Sequence, residues 1–173
     1  MLKMLGIDFK VLDIETDEVF NYNESPLKNV KRLAYEKALA AEKKVKNGII
    51  ITADTIVVID GEIIGKPKSK NNAKEILLKL SNRSHYVYTG FTLLNKDLNK
   101  QITGYSKTKV NFRKLEMKEI KDYIATGSPM DKAGAYGIQD DFGAVFVKSI
   151  NGCYYNVLGF PASKIYEELK KII

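Results

Sequence analysis

Short runs of β-branched residues alternate along this chain with segments that carry an apolar stripe at helical spacing. The run Ile49-Ile50-Ile51 is continuously apolar, as is typical of a strand buried on both faces of a mainly parallel sheet. The segment 26–46 instead repeats apolar residues every three or four positions, after an N-capping Ser25 and before a helix-stopping Asn47-Gly48. This alternation predicts an α/β fold in which helices flank a mixed sheet.

The same patterns predict the remaining elements. Asp60-Gly61 is a strong signal for a two-residue hairpin, and the glycine-rich segment 133–139 is predicted to be a loop. The predicted strands are 9–14, 49–51, 55–59, 62–64, 85–94, 102–112 and 143–150. The predicted helices are 26–46, 72–80, 116–125 and one that begins at Pro161.

The size of the chain fits a single globular domain. It has 173 residues, of which 45% are hydrophobic, and no linker divides residues 1–173. Its apolar runs fall far short of the roughly 18 residues that a membrane span needs. Met1 to Leu5 is followed at once by Gly6, which leaves no signal-peptide core. We therefore expect no membrane association and a cytoplasmic location.

The near absence of cysteine and histidine narrows the metal chemistry. Cys153 and His85 are each the only residue of their type, which argues against disulfide frameworks and zinc sites built from His and Cys. A metal must therefore be held by oxygen ligands, a set that suits Mg²⁺ or Mn²⁺ bound by carboxylates and substrate phosphates. The formal net charge of +7 favours an anionic partner, although abundant lysine also forms an ordinary solvated surface.

Three charged residues are candidates by position. Asp54 directly follows Ile49-Ile50-Ile51-Thr52-Ala53, at a strand end where ligands of α/β sheets bind, unless it simply caps a turn. Lys37 shares the face of the apolar stripe of its helix, so it needs an anion unless its stem extends along that face to water. Pro67 holds the backbone of Lys66 in an extended conformation, which makes Lys66 a candidate site residue unless it is an ordinary exposed lysine.

Two glycine-containing segments resemble phosphate-binding loops only superficially. In 61–67 the spacing between the glycines is one residue short, and Pro67 stands where a Walker A motif requires Ser or Thr. Gly134 and Gly137 do not fit the dinucleotide pattern, and they do not lie directly between a strand and a helix. The segment 61–67 is therefore not a Walker A loop, and the segment with Gly134 and Gly137 is not a dinucleotide-binding loop.

Four motifs follow one another along the chain, and with NVLGFP at 156–161 they belong to a likeness that extends over essentially the whole chain. They are RLAYEKA at 32–38, ADTIV at 53–57, GKP at 65–67 and DKAGAYGIQ at 131–139. In this order they closely resemble the Maf family of nucleoside triphosphate pyrophosphatases. The resemblance implies an α/β fold with a central nucleotide-binding cleft. It also implies hydrolysis between the α- and β-phosphates to a nucleoside monophosphate and pyrophosphate, with Mg²⁺ or Mn²⁺ as cofactor.

The resemblance assigns roles to the charged candidates. Asp54 is the implied proton acceptor, and Lys37 and Lys66 would stabilise the charge on the phosphates. Glu18 falls on the second acidic position of the family, where it would bind substrate and, with Asp54, the metal. Asp17 is the alternative at that position.

Thr55 and Gln139 fall where the family reads the base. The Gly-Ile-Gln form resembles the subgroup that acts on dTTP and UTP rather than on 7-methyl-GTP, with CTP or modified pyrimidine nucleotides as further substrates. An amide can hydrogen-bond the polar edge of a pyrimidine. Asp140-Asp141 departs from the family by placing negative charge near the phosphates. The resemblance further implies a housecleaning role and a homodimer.

The beginning of the chain also departs from the family. Its members begin with a strand and a Ser-x-Ser-Pro-Arg-Arg loop that grips the phosphates, whereas Met1 to Gly6 matches only the end of the next helix. An Arg pair clamps phosphate in a bidentate geometry that lysines do not reproduce. We therefore expect weaker transition-state binding and an exposed sheet edge, caused by a start site placed too late or by a shortened chain.

Two other functions compete with this interpretation. A non-catalytic regulator of cell division that binds nucleotide or nucleic acid would be indifferent to Asp54→Asn, and binding to nucleic acid would weaken steeply with salt. The favoured enzyme interpretation implies a nucleoside triphosphate substrate and no nucleic-acid partner. A different pyrophosphatase family with a similar cleft would prefer inosine or xanthosine triphosphate, and comparing ITP with UTP turnover separates the two families.

Overall fold

The computed structural model describes the backbone of residues 1–173 and all side chains except those of Met4 and Asp141. Within these described residues the helices are α1 (Pro26–Glu42), α2 (Lys70–Leu80), α3 (Met117–Ala125), α4 (Asp141–Phe146), α5 (Tyr154–Val157) and α6 (Ala162–Ile172). The strands are β1 (Ile49–Ile59), β2 (Glu62–Ile64), β3 (Ser84–Asn95), β4 (Lys100–Phe112) and β5 (Val147–Asn151). Among the described residues, no helix combines the length and apolar character needed to cross a bilayer.

The strands form one sheet in the order β2-β1-β3-β4-β5, and each pair of neighbours is antiparallel. The predicted α/β fold with flanking helices is confirmed, but the prediction of a mixed sheet is wrong. Ile49-Ile50-Ile51 opens a long antiparallel strand, in which Ile50 packs against α1 on one face of the sheet and Ile51 against α6 on the other. Asp60 and Gly61 have φ values of 53° and 81° and form the predicted hairpin between β1 and β2.

Helix α1 covers one face of the sheet and carries Lys37 toward β1. Ser25 caps it by accepting a hydrogen bond from the backbone N–H of Lys28, and the buried stripe begins at Val30. The helix ends at Glu42, earlier than predicted. Gly90 of β3 allows a close approach, because a Cβ there would overlap the backbone carbonyl of Val30. The lysine-bearing helix is therefore held tightly against the middle of the sheet.

The opposite face of the sheet packs against α2, α3 and α6. The larger core lies between β1, β3 and β4 on one side and α2 and α3 on the other, and Leu77, Val87 and Tyr123 lie within it. A second cluster joins Phe91 and Leu93 to the C-terminal helix α6, which begins just after Pro161 as predicted.

The segment predicted as a strand over 143–150 is instead α4 followed by β5. Phe142 and Phe146 are four residues apart, and their ring centroids lie 6.5 and 5.4 Å from that of Tyr123. That spacing places both rings on one helical face. Gly143 lies so close to Gly137 that a Cβ would overlap the Gly137 carbonyl. Aromatic packing on α3 therefore overrides the β propensity of the sequence.

One edge of β1 is open over most of its length. Residues 49–58 pair with β3, but on the other side only 57–59 pair with β2, so no described strand pairs with that edge of 49–56. The segment 9–14, predicted to be a strand, is not one. It lies across a groove of about 990 Å³ from the open edge instead of pairing with it. The edge of β1 over 49–56 is therefore unpaired among the described residues.

Candidate active site

A cavity of about 270 Å³ opens around β1 and reaches both faces of that strand. Asp54 and Thr55 are consecutive in β1, so their side chains point to opposite faces of the sheet. The cavity is lined by all six predicted site residues: Glu18, Lys37, Asp54, Thr55, Lys66 and Gln139. The structure therefore brings together residues that lie far apart in the sequence, with a charged half on one side of β1 and a less charged half on the other.

Lys37 is the centre of the charged half. Its ammonium donates to Oδ1 of Asp54 and, at 2.8 Å, to Oε1 of Glu18. Lys66 donates to the other oxygen of Glu18 at 3.1 Å. The two lysines and two carboxylates thus form one continuous ionic network, in which Oδ2 of Asp54 accepts no hydrogen bond from a described residue.

The network sets the protonation of its members. Burial raises the pKa of Asp54 above its usual value, and the hydrogen bond and charge of Lys37 offset only part of this effect. For Lys37, burial lowers the pKa, but its bonds to Asp54 and Glu18 outweigh burial, so the pKa is raised. For Glu18, burial raises the pKa, but the bonds from Lys37 and Lys66 prevail and lower it. Lys37 and Glu18 therefore stay ionised while Asp54 is made more basic.

Glu18, rather than its neighbour Asp17, reaches the network. The Glu18 side chain is about one-third exposed yet bonds both lysines through separate oxygens. Among the described contacts, Asp17 takes part only through its backbone carbonyl, which accepts from Val19 N–H at 2.9 Å. The alternative assignment to Asp17 thus lacks a contact with the cations.

The second half of the cavity carries hydroxyl and apolar groups. Thr55 lies 2.9 Å from the hydroxyl of Thr89 on the neighbouring strand β3. Val57 and Val87 line the same part of the cavity, together with Leu158 and Gly159, which follow α5, and Gly159 lies close to the Thr55 hydroxyl. Gln139 is exposed at the cavity, and its amide makes no hydrogen bond to a described residue. This half therefore presents the apolar side chains of Val57 and Val87 together with the Thr55 hydroxyl and the Gln139 amide.

Lys132 is a cavity residue to which the sequence analysis gave no role of its own. Its ammonium donates to the backbone carbonyl of Ser128 at 2.6 Å and to Asp131 at 2.9 Å, and it lies 3.1 Å from Oδ2 of Asp140. The negative charge of Asp140, noted as a departure from the family, is therefore compensated locally. The side chain of Asp141 lies outside the described part of the chain. The only sequence signal for Lys132 was its place in the motif at 131–139.

The carboxylates offer a partial ligand set for a divalent cation. Glu18 and Asp54 supply the hard oxygen ligands that Mg²⁺ and Mn²⁺ prefer, and in this structure the Lys37 ammonium lies between them. Among the described side chains, no group of three or more His, Cys, Asp or Glu residues is placed to hold an ion. In ligand type the two carboxylates therefore match Mg²⁺ or Mn²⁺, but by themselves they do not form a complete site.

Comparison with known proteins identifies the family of this chain. The profile of the Maf family, described as Maf-like protein, matches residues 1–172. A protein from Chlorobium phaeovibrioides named dTTP/UTP pyrophosphatase is 44% identical over 176 residues, covering 99% of this chain and 90% of its own. Proteins of the same name from Dictyoglomus thermophilum and Clostridium tetani are 43% and 45% identical, again over 99% of this chain and over 89% and 91% of theirs. This chain therefore belongs to the Maf family.

Proposed function

We propose that this protein hydrolyses dTTP and UTP to the nucleoside monophosphate and pyrophosphate. The observation that carries the proposal is the Lys37 ammonium, which bridges Glu18 and Asp54 at the wall of a cavity that also presents Thr55 and Gln139. The lysines of the ionic network suit the phosphates of a nucleotide, and the recess with the Thr55 hydroxyl and the Gln139 amide suits its base. The name shared by the similar proteins supports the same substrates.

Asp54 is the proposed general base. It is largely buried, its pKa is raised by that burial, and Oδ2 is free of protein hydrogen bonds. A water oxygen attacks the α-phosphorus, the bond from that phosphorus to the bridging oxygen breaks, and the water proton passes to Oδ2. Pyrophosphate leaves with the electron pair of the broken bond.

Lys37 and Lys66 are the proposed phosphate ligands. Negative charge grows on the leaving pyrophosphate in the transition state, and fixed ammonium groups stabilise it. Glu18 holds both ammonium groups in place through its two oxygens. A divalent cation bound by Glu18 and Asp54 would neutralise phosphate charge, and we propose Mg²⁺ or Mn²⁺ in that role.

Pyrophosphate release tests the proposal directly. We expect the purified chain, with Mn²⁺ or Mg²⁺, to release pyrophosphate rather than orthophosphate from UTP and dTTP. CTP, ITP and 7-methyl-GTP are compared in the same assay. Preference for ITP would favour the other pyrophosphatase family, and binding of nucleotide without turnover would favour the regulator of cell division.

Asp54→Asn removes the general base and keeps the shape of the side chain. We expect it to lower UTP turnover by about 100- to 10,000-fold while nucleotide binding persists, because the amide does not accept the proton. Asp122→Asn is the matched control, since Asp122 lies on α3 and pairs with Lys118 outside the cavity. Equal turnover in the two variants would contradict the role assigned to Asp54.

The cellular setting is proposed on the same basis. We propose a cytoplasmic housecleaning enzyme that removes surplus or modified pyrimidine nucleotides and acts as a homodimer. The resemblance to the family supports the housecleaning role and the homodimer. Sedimentation equilibrium of the purified chain distinguishes a dimer from the 19.5 kDa monomer.

A further inference from the structure

Three groups form a hydrogen-bonded chain behind the wall of the cavity. The hydroxyl of Thr55 lies 2.9 Å from that of Thr89, directly opposite in the β1–β3 register. The Thr89 hydroxyl in turn donates to the backbone carbonyl of Asn156 at 2.9 Å. Thr89 is fully buried and does not line the cavity, whereas Thr55 does. The chain therefore connects a cavity residue to the interior.

The direction of this chain follows from counting hydrogens. A carbonyl oxygen cannot donate, so the single hydrogen of the Thr89 hydroxyl must point to Asn156. If Thr89 donated to Thr55 instead, its oxygen would lie 2.9 Å from the Asn156 carbonyl with no hydrogen between them. In a buried place that contact is unfavourable. The hydrogen between the two threonines therefore belongs to Thr55.

The Asn156 carbonyl is fixed as the end of the chain. It also accepts a hydrogen bond from the backbone N–H of Gly159 at 3.0 Å, and the Asn156 side-chain amide donates to Val87 and Thr108. These bonds hold α5 and the following turn against β3. The acceptor for Thr89 is consequently part of the scaffold and does not depend on a mobile side chain.

We propose that Thr89 is a positioning residue that makes Thr55 an acceptor-only group toward the base, and thereby selects uracil and thymine over cytosine. This inference rests on the proposed function. Because the Thr55 hydrogen is committed to Thr89, only oxygen lone pairs face the cavity. Uracil and thymine each carry one N–H that is free of the sugar, at N3, and it can donate to Thr55. Cytosine has no hydrogen at N3, so in the orientation that pairs N3 of uracil with Thr55 its N3 lone pair would face the lone pairs of Thr55.

The test is the substrate preference of Thr89→Val. Valine keeps the shape and removes the hydroxyl, so the Thr55 hydrogen becomes free to donate to N3 of cytosine. We expect the ratio of kcat/KM for CTP to that for UTP to rise about fivefold, the effect of one ordinary hydrogen bond. Thr89→Ser keeps the hydroxyl and should keep the original ratio. Thr89→Ala provides a second hydroxyl-free variant if valine is not tolerated.

Two controls separate this role from a structural one. Thr92→Val removes another buried hydroxyl of β3, which is 3.0 Å from that of Thr103 and does not line the cavity, and should not change the ratio. In a Thr55→Val background, Thr89→Val should also leave the ratio unchanged, because the group through which it acts is gone. An unchanged ratio in Thr89→Val alone, or an equal change in the Thr55→Val background, would overturn the inference.

Product binding keeps this test independent of catalysis. The ratio of CMP to UMP affinity, measured by calorimetry, should respond to Thr89→Val in the same direction as the kinetic ratio. If UTP is hydrolysed and neither ratio moves, the role of Thr89 is wrong and the proposed function stands. If no nucleotide is hydrolysed but the affinity ratio shifts, the proposed function fails and the role of Thr89 stands.

Discussion

At the scale of single residues, Lys37 controls the basicity of Asp54. The side chain of Asp54 is only 7% exposed, and burial is the main reason that its pKa is raised. Lys37 acts against that effect, so it keeps Asp54 ionised at a lower pH than burial alone would allow. The lysine therefore has a second role besides its proposed contact with the phosphates.

The pH dependence of Lys37→Met tests this role. Without the ammonium group, burial and the charge of Glu18 both favour protonation of Asp54. We expect the acidic limb of the profile of kcat/KM against pH to move to higher pH, besides a loss of turnover. Lys28→Met, an exposed lysine of the same helix, is the matched control and should not move the limb. An unmoved acidic limb in Lys37→Met would show that Asp54 is not the group that titrates there.

At the scale of elements, Arg113 connects the end of β4 to α3 and α4. Its guanidinium donates to both oxygens of Glu119 at 2.9 and 2.6 Å and to the backbone carbonyl of Val145 at 2.7 Å. The bonds from Arg113 lower the pKa of Glu119 from 4.5 to about 2. Glu119 also completes the capping box at the start of α3 by accepting from the Glu116 backbone N–H.

Glu119→Gln measures the strength of this connection. The folded-state pKa of Glu119 is lowered, so its stabilisation is present above pH 4.5 and is lost as the pH falls toward about 2. We expect the substitution to lower the free energy of unfolding by about 1 kcal/mol at pH 7, a value reduced for partial exposure of the pair. Urea unfolding of both proteins at several pH values should show the difference shrinking in that window. A constant difference at all pH values would contradict an ionic origin.

Some helices and strands of this fold can be predicted from sequence patterns alone, whereas others cannot. The hairpin at Asp60-Gly61 and helix α2 follow from local turn chemistry and apolar spacing, and both are present. The pairing direction of the sheet does not follow from local pattern, because a strand covered on both faces looks alike in parallel and antiparallel sheets. Helix α4 was missed because its stability comes from Phe142 and Phe146 packing on Tyr123, a contact between distant residues.

Some residues of the candidate site can likewise be predicted from local sequence patterns, and others cannot. Asp54 stands out in the sequence because it follows an apolar strand segment, and Lys37 because it shares a face with the apolar stripe of its helix. Glu18 and Gln139 had to be identified by resemblance, since a loop carboxylate and a loop amide carry no local signal. Thr89 has no signal at all in the sequence. Its role depends on a hydrogen-bond direction that only the arrangement of β1, β3 and α5 fixes.

At the scale of the whole molecule, the cavity joins segments that the fold otherwise holds separately. The loop with Glu18, helix α1, strand β1, the turn after α5 and the segment 131–139 each contribute to its wall. The charged half lies on the α1 side of β1, and the half with Thr55 lies on the side of α5. A nucleotide that fills both halves would therefore contact every one of these segments at once.

Ligand-induced stabilisation tests this arrangement without requiring turnover. A ligand at about 100 times its Kd adds about 2.7 kcal/mol to the free energy of unfolding, and about 2–4 °C of Tm per kcal/mol is expected for a domain of about this size. We therefore expect an α,β-imido analogue of UTP, at that saturation, to raise Tm by about 5 to 10 °C. At the same concentration, UMP and tripolyphosphate should each give a smaller shift, because UMP carries the base with a single phosphate and tripolyphosphate has no base. If tripolyphosphate alone reproduced the shift of the analogue, the base would lie outside the cavity, and the division of the site across β1 would be wrong.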